Sequence, residues 1–266
     1  MHWAAILIKI PKLQMIFKLE SVVFTPNSFT DIMSALQKKY FHIYSHIKNV
    51  GISSFVVSKL YDHYIRLRLK LKGVTYNAST AHNEPAIVAS AGKDAHENQP
   101  SSFYTLKEGF KCLPLNYKEI VLLDIGCGNG MVLNFGMLLK FKQVNGIDLN
   151  KTALEKASLN CSKIYQTVNE TEYKTEYADA VEYNIPAGVN VIYLFNPFGS
   201  VTMEKVAINI FNYVNKTAKA IYVIYCMPSF KYIFEANAAC KKIYETYNKN
   251  KTQVELTVFK IEPEHN

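Results

Sequence analysis

Five cysteines in 266 residues, at positions 112, 127, 161, 226 and 240, are odd in number, and no two form a CxxC pair. A disulfide framework and a thiolate metal site are both disfavoured, and a reducing, cytoplasmic compartment fits best. There is no long hydrophobic run. The apolar stretch at residues 3–10 is interrupted by Lys9, which leaves it too short for a bilayer span. With no small-residue cleavage site after it, it also lacks the layout of a signal peptide. No internal repeat is visible, and no cluster of acids, histidines and cysteines suggests a bound metal.

Acidic residues are scarce at one end only. Residues 1–80 hold 11 lysines and arginines against three acids, whereas the remainder holds 19 of each. The whole excess of +8 therefore lies in the N-terminal third. Such a segment points to an anionic contact surface, a membrane face or nucleic acid, while a solvated helix face accounts for it equally well. The patterning divides the chain into a basic helical N-terminal extension (1–80), a loop or lid (81–101) and an α/β domain (102–266). Within the extension the spacing of Met33, Leu36, Tyr40, Ile43 and Ile47 predicts a helix over 29–49. A second helix is expected from Ser53 or Ser54 to about Lys70, with Phe55, Leu60, Tyr64 and Leu67 on one side. Residues 73–100 show no period, and a loop of that length is usually functional or disordered.

From Ser102 onward, helix and strand patterns alternate. Strands are predicted at 120–125, 144–148, 173–178, 189–195 and 220–225. A closing hairpin is predicted from 242–247 and 254–261. Helices are predicted between the strands, the first of them running to about Phe141. This order predicts a doubly wound, mostly parallel sheet with an antiparallel strand at one side.

The first of these strands ends in Asp124-Ile125-Gly126-Cys127-Gly128-Asn129-Gly130. A glycine-rich turn between strand and helix lets a ligand approach the backbone closely. Dinucleotides and S-adenosylmethionine both use such a turn. The dinucleotide spacing GxGxxG is missing, because Met131 stands where its last glycine would be. Asp124 would repel a pyrophosphate and suits an ammonium group. Asp148 ends the next strand, where a carboxylate can accept both hydroxyls of a ribose.

Residues 121–130 with Val144-Asn145-Gly146-Ile147-Asp148-Leu149-Asn150 resemble motif I and the following acidic loop of class I S-adenosylmethionine-dependent methyltransferases. Asp179-Ala180 resembles that family's adenine-contacting turn, and Phe195-Asn196-Pro197-Phe198 stands in the place of its motif IV. The resemblance covers residues 121–198. It implies a seven-stranded Rossmann-like sheet with S-adenosyl-L-methionine as cofactor. The cofactor-binding set would be Asp124, Gly126, Cys127, Gly128, Gly130, Asp148, Leu149, Asp179, Ala180 and Asn196. A narrower resemblance, to small bacterial methyltransferases related to the non-SET histone-lysine methyltransferases, lies in Asn196-Pro197-Phe198-Gly199, in Gly73-Val74-Thr75 and in the segment from His96 to Phe103. That segment departs from the family in the loop itself, where Asn98 or Gln99 stands in the place of an aromatic or acidic residue.

Methyl transfer from a sulfonium is an in-line displacement that needs alignment and exclusion of water rather than a metal. The expected catalytic residues are Asn196, orienting an acceptor amine, and Phe198, walling the channel and favouring the cationic centre with its ring face. His96 is a candidate base, although a lone loop histidine is more often solvated. Tyr193 and Tyr225 read as core. The acceptor stays open among protein lysine, a small metabolite, a glycan or lipid precursor, and nucleic acid. Two other readings also stand. One is a transferase using a donor such as decarboxylated S-adenosylmethionine. The other is a catalytically inactive S-adenosylmethionine-binding module acting through its basic helices.

Overall fold

The computed structural model describes residues 52–74, 76, 102–168, 170–248 and 250–264. The predicted helix at 29–49, the lid at 81–101 and His96 lie outside them. The described elements, in chain order, are α1 (Ile52–Leu71), α2 (Phe103–Lys111), β1 (Val121–Ile125), α3 (Met131–Leu138), β2 (Gln143–Asp148), α4 (Lys151–Val168), β3 (Glu172–Tyr177), β4 (Val191–Phe195), α5 (Ser200–Thr217), β5 (Ile221–Cys226), α6 (Tyr232–Glu235), β6 (Cys240–Tyr247) and β7 (Val254–Ile261).

The strands form one seven-stranded sheet in the order β3-β2-β1-β4-β5-β7-β6. β1 to β5 run parallel, and β7 is antiparallel to both β5 and β6. The expected antiparallel strand thus lies one place in from the edge. β7 pairs directly with β5, and the hairpin carries β6 outward.

Alternation along each strand separates two cores. On one face Leu122, Tyr193, Ile224 and Leu256 pack with residues of α1 to α4. On the other, Leu123, Ile192, Val223 and Phe259 pack with α5 and the segment around Tyr183. β1 is buried along its whole length because strands flank it and helices cover both faces. The first core is braced by Phe110 against Phe141 at 4.9 Å and by Phe103 against Phe135 at 5.5 Å. Ring pairs of this kind add about 0.5–1.5 kcal/mol each beyond their buried area.

α3 ends three residues before the expected Phe141. Lys140 takes a left-handed φ of 61°. Its amide bonds the carbonyl of Met137, and that of Phe141 bonds Gly136. This is a Schellman stop made with lysine instead of the usual glycine, so no glycine marks the helix end in the sequence.

α1 belongs to the stretch read as a basic extension. Its Ile65 and Leu69 are buried in the same core as Phe103 and Phe110. Asp62 also ties it to α2, accepting hydrogen bonds from the Ser102 hydroxyl (3.1 Å) and the Tyr104 amide (3.0 Å). An acid at a helix N-terminus complements the helix dipole. Leu60, Tyr64 and Leu67, the side picked out by the sequence period, are exposed.

Candidate cofactor and acceptor site

The carboxyl ends of β1 to β5 converge on one edge of the sheet, where the order reverses between β2-β1 and β4-β5. In open α/β sheets this switch point is where ligands bind.

The glycine-rich turn leaves β1 there. Gly126, Gly128 and Gly130 all have positive φ, at 81°, 50° and 77°. Most amides of the turn are hydrogen-bonded within the protein. Those of Gly126 and Cys127 both donate to the carbonyl of Ile147, at 2.9 and 3.0 Å, and that of Gly130 donates to Cys127. The amide of Gly128 donates to Asp148 Oδ2 at 2.8 Å. The turn is thereby pinned onto the end of β2. It offers a ligand a backbone surface free of side chains rather than a cage of donors. A pyrophosphate would need the donors.

Two glycines are required by what lies next to them. A Cβ at Gly130 would meet the Cβ of Ala157 at 2.9 Å, which seats α4 against the turn. Gly146, in the middle of β2, pairs with Asp124 in register. A Cβ there would come within 2.7 Å of Leu133 and 2.8 Å of the Cys127 sulfur. Sequence reasoning quoted Gly146 without finding its role, although an isolated glycine within a strand is a sign of close approach.

Asp124 is 3% exposed. Burial pushes its carboxyl well above the usual carboxylate range, and the neighbouring Asp148 pushes it further. No salt bridge reaches it among the described residues. Asp148 is also raised by burial, an effect partly offset by the amides of Asn150, Gly128 and Leu149. Its Oδ1 accepts from the Asn150 amide at 2.8 Å. Each oxygen holds a second lone pair, so a diol can still be bound. Cys127 is buried, and burial with the two nearby acids keeps its thiol neutral. Its side chain packs inward under Gly146, which leaves only its backbone for a cofactor. Leu149 is half-buried in the turn that follows β2.

α3 starts at Gly130, which provides no side-chain cap. The first-turn amides of such a helix have no partner within it. Asp179 follows β3 in an exposed turn, where its own carboxylate accepts the Val181 amide at 2.9 Å. Ala180 is buried, and its carbonyl accepts from Asn209 at 3.1 Å.

After β4, Asn196 takes a positive φ of 40°. Left-handed backbone at a residue other than glycine stores about 1–3 kcal/mol and gathers at ligand sites. The Tyr225 hydroxyl donates to Asn196 Oδ1 at 3.3 Å. Burial raises that phenol to about 12, so it stays protonated. Tyr225 is fully buried, as read, but its hydroxyl also braces Asn196. A contact across 29 residues and two adjacent strands leaves no local signal in the sequence. Pro197 lies against Gly126, 3.3 Å from where a Cβ would stand, so the turns after β1 and β4 touch. Phe198 is half-buried against the second core. The described residues contain no cluster of three or more potential metal ligands.

No family model and no curated protein matches the chain. Solved structures do. An RNA methyltransferase from Salinibacter ruber in complex with S-adenosyl-L-homocysteine is 14% identical, with a TM-score of 0.45, over 63% of this chain and 96% of that one. An rRNA methylase from Streptococcus thermophilus is 14% identical, with a TM-score of 0.40, over 62% and 95%. A Thermoplasma acidophilum protein is 19% identical, with a TM-score of 0.41, over 61% and 85%. Likenesses of this size add little to what the chain's own sheet order establishes, which is the doubly wound, seven-stranded α/β architecture of the Rossmann-like methyltransferase fold.

Proposed function

We propose that the chain is an S-adenosyl-L-methionine-dependent methyltransferase acting on an amine, of a protein lysine or of a small molecule. The observation that carries this is Asp124, a buried carboxylate beside a second acid with no cationic partner among the described residues. A site built this way favours a ligand that brings a positive charge and disfavours a pyrophosphate. Asp124 would hold the ammonium of S-adenosylmethionine, directly or through water. The cofactor's carboxylate suits the uncapped start of α3, and its ribose hydroxyls suit the second lone pairs of Asp148. The turn after β3, with Asp179 and Ala180, would contact the adenine. Decarboxylated S-adenosylmethionine would leave the α3 terminus without a partner.

The bound cofactor supplies the electrophilic methyl group. The protein's part is alignment. Asn196, held by Tyr225, orients the acceptor nitrogen through its remaining polar atoms, and the exposed part of Phe198 walls the approach. No residue need take a proton before the transfer if the amine arrives neutral. The Asn196-Pro197 turn after β4, in the place of motif IV, is what suggests an amine acceptor.

Calorimetry with S-adenosylmethionine and with NAD tests the cofactor. Binding of NAD alone rejects the reading. Transfer of radiolabelled methyl into a cell lysate, followed by protease, nuclease and lipid extraction, identifies the acceptor class. Cofactor binding with no transfer to any fraction would favour the inactive module.

A further inference from the structure

Three parallel rows run along α1. Asp62, Ile65 and Leu69 face inward, the latter two into the core. Leu60, Tyr64, Leu67 and Leu71, with Val56 and Val57 before them, form a continuous exposed apolar row, in which Leu71 is 79% and Leu60 65% exposed. One residue earlier at each later step, His63, Arg66 and Lys70 line one flank, with the Arg66 guanidinium over the Phe103 ring at 5.5 Å. Arg68 lies on the other flank, its guanidinium over the Tyr64 ring at 5.7 Å, whereas Lys72 turns to the body and donates to the Thr167 hydroxyl at 2.9 Å. The helix's one acid, Asp62, is engaged with Ser102 and Tyr104 on the inner side.

We propose that this outer face of α1 docks in the plane of a bilayer rich in anionic lipid, with the Leu60–Leu71 row among the acyl chains and the flanking cations at the headgroups. The pattern is that of an interfacial helix: an apolar stripe bordered by Lys70 on one flank and Arg68 on the other, cationic side chains whose stems can cover apolar surface while their heads reach water. Charge selects the occupant. A second copy of α1 would set its cationic rows against these. Nucleic acid would satisfy the cations but leave six exposed aliphatic and aromatic side chains without a partner. No helix among the described residues is long and apolar enough to cross a membrane, so the contact is peripheral.

The test uses the full chain, co-sedimented with vesicles of phosphatidylcholine alone and of phosphatidylcholine with phosphatidylserine. Binding to the anionic vesicles should be at least about tenfold the stronger, and Leu60→Glu/Leu67→Glu should lower it by about tenfold or more. Arg68→Ala/Lys70→Ala should weaken it and flatten its dependence on salt. Tyr64→Trp serves as a second probe, its emission moving to the blue on anionic vesicles when wild-type emission is subtracted. Four results would overturn the proposal: no sedimentation of the wild type, binding unchanged by Leu60→Glu/Leu67→Glu, no blue shift, or a dimer that the glutamates convert to monomer. Retention on RNA that survives the glutamate changes, in a protein that ignores vesicles, would assign the basic rows to nucleic acid instead.

Discussion

The backbone amide of Gly128 lies 2.8 Å from Oδ2 of Asp148, twenty residues further along the chain. One carboxylate therefore closes the glycine-rich turn against β2 and, in the proposed function, receives the ribose.

Replacing Asp148 tests both roles. Asp148→Ala removes the acceptor for the Gly128 and Asn150 amides and should cost about 1–3 kcal/mol in urea unfolding. Affinity for S-adenosylmethionine should drop by at least about tenfold. Asp148→Asn keeps one acceptor oxygen and should recover part of the stability and little of the affinity. Full affinity in the alanine variant would remove Asp148 from the ribose site.

Asp124 carries a pH signature. Its folded value lies above its unfolded one, so the folded protein holds the extra proton in between. Its contribution to stability then falls as pH rises from about 4, the unfolded value, toward neutrality. Asp148 acts in the same direction. Asp124→Asn should flatten this decline and make the free protein more stable at neutral pH, while weakening cofactor binding. Binding to the wild type should strengthen with pH across the same window and release a proton, seen as a calorimetric heat that depends on the buffer. A heat independent of buffer would contradict a shift at Asp124.

Gly146→Ala should destabilise by about 1–3 kcal/mol, because its methyl meets Leu133 and Cys127 inside a packed core. Gly130→Ala meets Ala157 and must also hold a left-handed φ of 77°. Adding Ala157→Gly should return only part of that loss, since it relieves the contact and leaves the backbone strain. Complete rescue in thermal melts would show that the contact alone matters.

At Asn196 structure and chemistry can be separated. Glycine adopts a φ of 40° without strain, whereas alanine does not. Asn196→Gly should fold at least as stably as Asn196→Ala, yet both should lose methyl transfer by about a hundredfold, the scale of a lost positioning contact. Tyr225→Phe should bind cofactor normally and lose activity to a smaller extent. Wild-type turnover in Asn196→Gly would exclude the side chain from catalysis.

Much of this was legible in the chain. The apolar runs predicted β1 and β2, with Asp124 and Asp148 near their carboxyl ends. Alternation and turn composition predicted the hairpin of β6 and β7. Other features depend on partners distant in sequence. Lys140 stops α3 because Phe141 folds back on Gly136, and lysine carries no such preference. The amides of Gly126 and Cys127 face inward because the Ile147 carbonyl accepts both, a matter of tertiary register. On α1 the helical period was correct, but it marked the exposed side. The inward side carries Tyr61, Ile65 and Leu69 beside Asp62, and the period alone does not say which of two apolar sides meets the core.

The inward-turned amides also bear on speed. Because Gly126, Cys127, Gly128 and Gly130 are already hydrogen-bonded within the protein, this turn need not reorder to admit a ligand. Capture at the turn should be a single step, its observed rate rising linearly with cofactor concentration and without saturation in stopped-flow traces. A plateau would then report movement elsewhere in the chain.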